Sequence, residues 1–317
     1  MLKKKIMKYV MKYFVIVAIV LGFPWLFTLM FGGSSNNKIY ESSDSGRYVI
    51  VGTKRIDVED FVACALVKQM DIGDEEEALK AQAVIIRTYI YEKLQNLGKK
   101  EIDVGDLDLQ YILFEELENI WGESFPDNYN RLMKIVSNTS GEILTYEDKV
   151  IKPYFHGVSC GYTRSGEDVL GEGYGYLMSV QSAKDVESEE YLEGTMIKKE
   201  DFAKKLRDAD PEISISDENP LETMQIISRD TAGYVNSLQI GNVEMTGDEF
   251  AYIFQLNSPN FQVEEYEGQI RIITKGMGHG LGLSMYGAKE LAKSGKSYQE
   301  ILQHYYTGVY LTSLWEE

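Results

Sequence analysis

The chain has 317 residues, 44% of them hydrophobic and 26% charged, enough for one large folded domain or two small ones with a real core. Its net charge is −18, which argues against nucleic acid as a partner, because phosphate contacts need clustered Lys and Arg. Two cysteines, Cys64 and Cys160, are too few for a disulfide framework or a Cys-rich zinc site, and leave room for a single Cys64–Cys160 disulfide in an oxidising compartment.

Residues 1–12 carry Lys3, Lys4, Lys5, Lys8 and Lys12 and no acid, and the next stretch, Tyr13 to Phe31, has no charge at all. At about 1.5 Å per residue such a run can cross a bilayer core of about 30 Å. Lysines ahead of it place the N-terminus in the cytoplasm. A cleaved signal peptide is the competing reading, but the apolar run is long and GGSSNN holds no A-x-A site. The expected layout is a cytoplasmic basic tail (1–12), a transmembrane anchor (13–32), a Ser-rich tether (33–46) and a folded body (47–317) outside the membrane, giving a single-pass membrane protein.

The body opens with RYVIVGTKRIDVED, a strand and a Gly turn leading into a helix. From Val58 to Tyr91 two helix signatures stand back to back. Asp57 with Asp60, and Asp74 with Glu77, have capping-box spacing. Phe61, Val62, Ala65, Leu66 and Met70 fall at helical spacing, as do Ala78, Ala81, Ile85 and Tyr89. Gln82 and Arg87 interrupt the apolar pattern, and periodicity alone reads the stretch as a buried helix pair with satisfied polar groups.

Residues 113–139 read as a longer helical stretch, and GEILTYEDKVIKPYFHG as a hairpin turning at Glu147–Asp148. A Gly-, Ser- and Tyr-rich loop follows from His156. Beyond it come a helix near Lys199–Leu206, an irregular acidic segment from Asp208 to Pro220, and strands at Thr223–Ser228 and Gly233–Ile240 with a turn at Asn242. A helix over Met245–Leu256, a strand QIRIITKG, a glycine turn feeding a helix, and a last amphipathic helix SYQEILQHYYTG complete the chain. The fold class expected is α+β, one mixed domain built on the central helix pair.

Gly276, Gly278, Gly280 and Gly282 alternate between a strand and a helix, but the spacing is not that of a phosphate loop. Glycines permit positive φ and let backbone approach a ligand closely, and the helix that follows offers free N–H groups beside His279 and Ser284. GVSCG, Gly157 to Gly161, fits G-x-S-x-G, yet GYTRSGED after it is not helical. A serine hydrolase using Ser159 and His279 is therefore a remote reading. His156 and Cys160, four apart in a loop, are a weak zinc pattern, with Cys64 as the only further thiol.

Three of these stretches resemble one family. EEALKAQAVIIRTYIY is similar to the EALKAQAVAARTYA element of the stage II sporulation protein D family, which also includes LytB-type amidase enhancers. YFHGVSCGYTRSG resembles its YHSSSGGYT loop, with Cys160 in place of a small residue. KGMGHGLGLSMYGAKELAKSGKSYQEILQHYYTGVYL resembles its C-terminal signature, with Met285 where the family usually has Gln. The resemblance implies a lytic transglycosylase acting on peptidoglycan glycan strands during engulfment, beside a cell-wall amidase and a membrane scaffold protein, with no cofactor and no metal. In the family a glutamate eight residues before the first Glu of EALKAQA does the chemistry. EDFVACALVKQM lies over the family's EDYLKGVVAAEM without a gap, so that position is Gln69. The resemblance further implies substrate-binding roles for Gln82, Arg87, His156, Ser159, Tyr162, His279, Ser284 and Tyr286. Glycan cleavage needs a proton delivered to the glycosidic oxygen, and a side-chain amide cannot shuttle one. Three readings follow: a SpoIID-like glycan-binding pseudoenzyme that enhances a partner amidase without cutting, a transglycosylase whose acid comes from elsewhere, Asp71, Asp74 and Glu75 being near in sequence, or an otherwise active transglycosylase in which Gln69 is an engineered inactivating change.

Overall fold

The computed structural model describes residues 44–314, which fall in one compact unit, Ser42–Glu317. The expected basic tail and anchor, and nearly all of the tether, lie outside the described residues. Among the described residues no helix is long and apolar enough to cross a membrane. The architecture is mixed α+β, as expected.

Tyr48–Val51 (β1) and Lys54–Asp57 (β2) form an antiparallel hairpin that leads straight into Val58–Gln69 (α1). The Asp57 carboxylate caps α1 by accepting from the Glu59 N–H. Glu76–Leu97 (α2) follows without the expected side-chain cap: Asp74 instead accepts from the Asp71 N–H and faces Lys289 at 3.5 Å. Helix α2 is buried on most of its circumference, with Leu79, Ala81, Val84, Ile85, Ile86 and Ile90 fully enclosed. Each large aliphatic side chain among them contributes about 1.5–3 kcal/mol of transfer free energy, so α2 is the central post of the domain.

Glu101–Asp103 (β3) adds a parallel strand beside β1. The single helical stretch expected over 113–139 is two helices, Phe114–Trp121 (α3) and Phe125–Ser137 (α4). The break falls where Gly122 takes φ 51, and Pro126 restarts the helix in its first turn. Glu142–Tyr146 (β4) and Lys149–Val150 (β5) form the expected hairpin, with Glu147 and Asp148 both at positive φ as a two-residue primed turn requires.

Phe155–His156 (β6), Gly166–Leu170 (α5) and Leu192–Ile197 (β7) precede Lys199–Ala209 (α6). Met224–Arg229 (β8), Val235–Ile240 (β9) and Val243–Met245 (β10) form a meander, and Gly247–Phe254 (α7) opens on a complete Thr246/Glu249 capping box. Met245, read from sequence as the start of that helix, belongs to β10. Phe261–Tyr266 (β11) and Gln269–Lys275 (β12) pair with β7 in the order β11-β12-β7. Phe202, Leu206, Val235, Leu238, Phe250, Phe261, Ile270 and Ile272 meet in a hydrophobic core of their own within this part of the chain.

Leu283–Ser284 (β13) runs parallel to β6, Met285–Lys293 (α8) packs on α2, and Tyr298–Tyr305 (α9) opens on a Ser297/Glu300 capping box. Tyr310–Ser313 (β14) closes the fold against β4.

Candidate functional site

Gln69 is the last residue of α1 and is half-buried. The chain leaves the helix at once, since Met70 is extended at φ −134. Across the helix pair Gln82, fully buried on α2, donates from Nε2 to Gln69 Oε1 at 2.6 Å. One and a half turns further along α2, Arg87 is also fully buried. It forms a two-pronged ion pair with Glu59, 2.7 Å on each prong, and donates to Thr139 Oγ1 and to the Val136 and Glu142 carbonyls. Arg87 thus ties α1, α2, α4 and β4 together, and its donors are occupied within the fold.

The glycine loop makes the second part of the site. All four of its glycines adopt positive φ, as the sequence leads one to expect. Their open sides face the protein's own chain and not a ligand. A Cβ on Gly282 would stand 1.9 Å from the Tyr154 carbonyl oxygen, and one on Gly278 would stand 2.8 Å from His156 Cβ. The N–H groups at the start of α8 are likewise engaged, Tyr286 N–H with the Gly157 carbonyl and Gly287 N–H with Ser284 Oγ.

This close approach sets two histidines beside each other. His156 and His279 have ring centroids 5.9 Å apart, Tyr154 stands edge-on to His279 at 5.7 Å, and the Lys152 ammonium lies 4.8 Å above the Tyr154 ring. His156 Nδ1 faces the Leu281 carbonyl at 3.1 Å and so carries the proton, while its Nε2 is buried without a partner. His279 Nδ1 accepts from the Leu281 N–H at 3.0 Å. Burial, reinforced by His279, pushes His156 down to about 3, and burial lowers His279 to about 4 against the pull of Asp248. Both rings are neutral at physiological pH.

Ser159 lies beneath this layer, fully buried. Its N–H donates to Asp185 Oδ2 at 2.6 Å, and its Oγ accepts from the Gly161 N–H at 3.1 Å. No helix follows it, and neither ring nitrogen of His279 is turned to it in the bonds just described. The strand–turn–helix context that a serine-hydrolase elbow needs is missing here, and the hydroxyl braces the loop. Ser284 is fully buried too and caps α8. Arg87, Ser159 and Ser284, expected to touch substrate, are therefore enclosed with their polar atoms engaged in the fold. Gln82 is enclosed behind Gln69. Tyr162, 49% exposed, and the half-buried Gln69, His279 and Tyr286 are the expected site residues that reach the surface.

Both cysteines are free thiols, which removes the Cys64–Cys160 disulfide. Cys64 is buried in α1, and Cys160 donates to the Lys275 carbonyl at 3.1 Å. Among the described residues no group of three or more His, Cys, Asp or Glu side chains is placed to hold a metal ion.

Two residues that the sequence did not single out hold the site together. Arg164 is buried and donates to Asp230 at 2.7 Å, to Asn236 and Asp248, and to the His279 carbonyl. Asp185 is fully buried and gathers Ser159 and Ser182, and burial raises its carboxyl above the usual range. Apart from the local Ser182–Asp185 bond, these contacts are distant in sequence, so no local pattern announces them. Helix α8 joins the two parts of the site, packing on α2 while Tyr286 holds Gly157. A cavity of about 420 Å³, lined by Ser182, Gly287, Leu291, His304 and Tyr305 among others, and one of about 370 Å³ beside Cys64 and Phe114 both lie away from Gln69 and the histidine pair.

A family model described as Stage II sporulation protein (SpoIID) matches residues 48–146, from β1 to the end of β4. Stage II sporulation protein D of Bacillus amyloliquefaciens is 31% identical over 262 residues, covering 81% of this chain and 74% of the relative. The protein of that name from Bacillus subtilis (strain 168) is 29% identical over 266 residues, covering 82% and 75%. The amidase enhancer of the same B. subtilis strain is 24% identical over 286 residues, covering 75% of this chain but 38% of the relative.

Proposed function

Because the chain belongs to the stage II sporulation protein D (SpoIID) family, whose members act on the cell wall in sporulation, we propose that it grips peptidoglycan glycan strands without cutting them. The observation that carries this reading is Gln69, an amide where the family's motif places its proton-shuttling carboxyl, locked onto a second amide at 2.6 Å. A carboxyl there would protonate the leaving oxygen and then take a proton from the sugar's own 6-hydroxyl. A glutamine can do neither. General acid–base catalysis accounts for about 10²–10⁴-fold in rate, so its loss leaves binding and almost no turnover. Asp71, Asp74 and Glu75 do not stand in: Asp71 and Asp74 are engaged with each other and with Gly73 and Lys289, and a one-turn offset displaces a carboxyl by about 5 Å.

In this reading the body lies outside the membrane behind the N-terminal apolar segment, positions glycan strands during engulfment, and presents them to a cell-wall amidase held by a membrane scaffold. Likeness to an amidase enhancer supports the amidase link. The test is zymography on purified peptidoglycan. The protein as it stands is expected to release no anhydro-muropeptides, and Gln69→Glu is expected to gain that activity by a hundredfold or more over background, roughly the acid–base contribution. Anhydro products from the unaltered protein would overturn the reading.

A further inference from the structure

A buried primary amide normally has both ends satisfied, because each unmade bond costs about 1–3 kcal/mol. Gln82 departs from this. It is completely buried, its Nε2 donates to Gln69 Oε1 at 2.6 Å, and its own Oε1 has no partner. In this arrangement Oε1 is the engaged end of residue 69. The Gln69 carbonyl end is turned inward and occupied, so its NH₂ end faces the half-exposed side. A glutamate held by the same Gln82 N–H would present a carboxyl oxygen there. The glutamine presents a neutral donor with two protons it cannot release.

We propose that Gln82 is a positioning residue that aims the Gln69 NH₂ group at an acceptor oxygen of an N-acetylated hexosamine strand, making residue 69 a binding determinant for glycan. The inference rests on the glycan-binding reading above. It assigns the amide a positive role: the atom that would have been the acid becomes a hydrogen-bond donor to the same polymer.

The test is calorimetric titration of the full-length protein with the hexamer of N-acetylglucosamine, together with ¹⁵N spectra of the side-chain amides. The unaltered protein is expected to bind, with a protected Gln82 side-chain N–H. In Gln82→Glu the side chain at 82 only accepts once ionised, which burial shifts to higher pH, so at alkaline pH the Gln69 amide turns round and affinity falls about tenfold, the worth of one well-made hydrogen bond to a ligand. As pH is lowered the carboxyl takes up a proton, donates again, and affinity returns. A merely structural role for Gln82 would give no such profile. Gln82→Met, which carries no buried charge, is expected to lose a few-fold in affinity with no pH dependence, and Gln69→Leu to lose about tenfold throughout. Folded Gln82→Glu or Gln69→Leu protein that binds like the unaltered chain at every pH overturns the proposal. An unprotected Gln82 amide in a chain that binds glycan overturns the pairing alone. A protected Gln82 amide in a chain that does not bind glycan overturns the underlying reading, and this role with it.

Discussion

Glu59 and Arg87 are charges withdrawn almost completely from water, with side-chain exposures of 4% and 0%. Removing one partner of such a pair leaves the other uncompensated, which costs about 3–5 kcal/mol, whereas replacing both with apolar groups of similar size is often close to neutral. Arg87→Ala is therefore expected to lower the free energy of unfolding by about that amount in urea titrations, and Glu59→Leu/Arg87→Met to recover most of the loss. The two histidines give a second expectation at this scale. Their folded values, about 3 and about 4, lie below the ordinary 6.5. The unfolded chain thus takes up protons first as pH falls. The stability they contribute is complete above about pH 6.5 and is lost progressively as pH drops through the folded values, by a few kcal/mol in all. Denaturant midpoints measured from pH 7 to pH 4 should show this decline, and His156→Asn should flatten part of it.

At the scale of elements, the site is made by backbone contact. Strands β6 and β13 are two residues each, and they can lie side by side because Gly282, at φ 68, carries no side chain against the Tyr154 carbonyl. Gly282→Ala is expected to destabilise the protein by several kcal/mol, because neither backbone can yield and the left-handed conformation penalises a Cβ as well. A drop in melting temperature of ten degrees or more would register it, and an unchanged melting temperature would contradict the packing described. The elements the sequence revealed are those whose pattern is local: the helix pair, the Glu147–Asp148 hairpin, the glycine turn into α8 and the last helix. Strands β7, β11 and β14 escaped. LEGTMI in β7 is exposed along nearly its whole length, and FQVEEY in β11 buries only its first residue well, so neither shows an apolar–polar alternation. Their pairing is decided by β12 between them, whose alternation is clear in QIRIITK.

Across the whole molecule, the stretches that resemble the family at either end of the chain build the helix pair and the glycine loop. The segment between them closes around a core of its own. Arg164 connects this second core to the site by holding Asp230 and Asn236 with one side of its guanidinium and the His279 carbonyl with another. Sequence reading singled out Gln69 and the two histidines, because their motifs are contiguous. It also singled out Arg87, Ser159 and Ser284, which the fold encloses, and passed over Arg164 and Asp185, because burial and long-range pairing leave no trace in local spacing.

The pairing of β14 with β4 and of β13 with β6 has a consequence for the order in which this protein can mature. Synthesis delivers the helix pair first, but β4 and His156 must wait some 130 to 170 residues for the strands that complete them. Contacts that close such long loops form late. Strands β4 and β6 are therefore incomplete on a nascent chain, and loss of the last dozen residues should leave β4 without its β14 partner while the central helices stay intact.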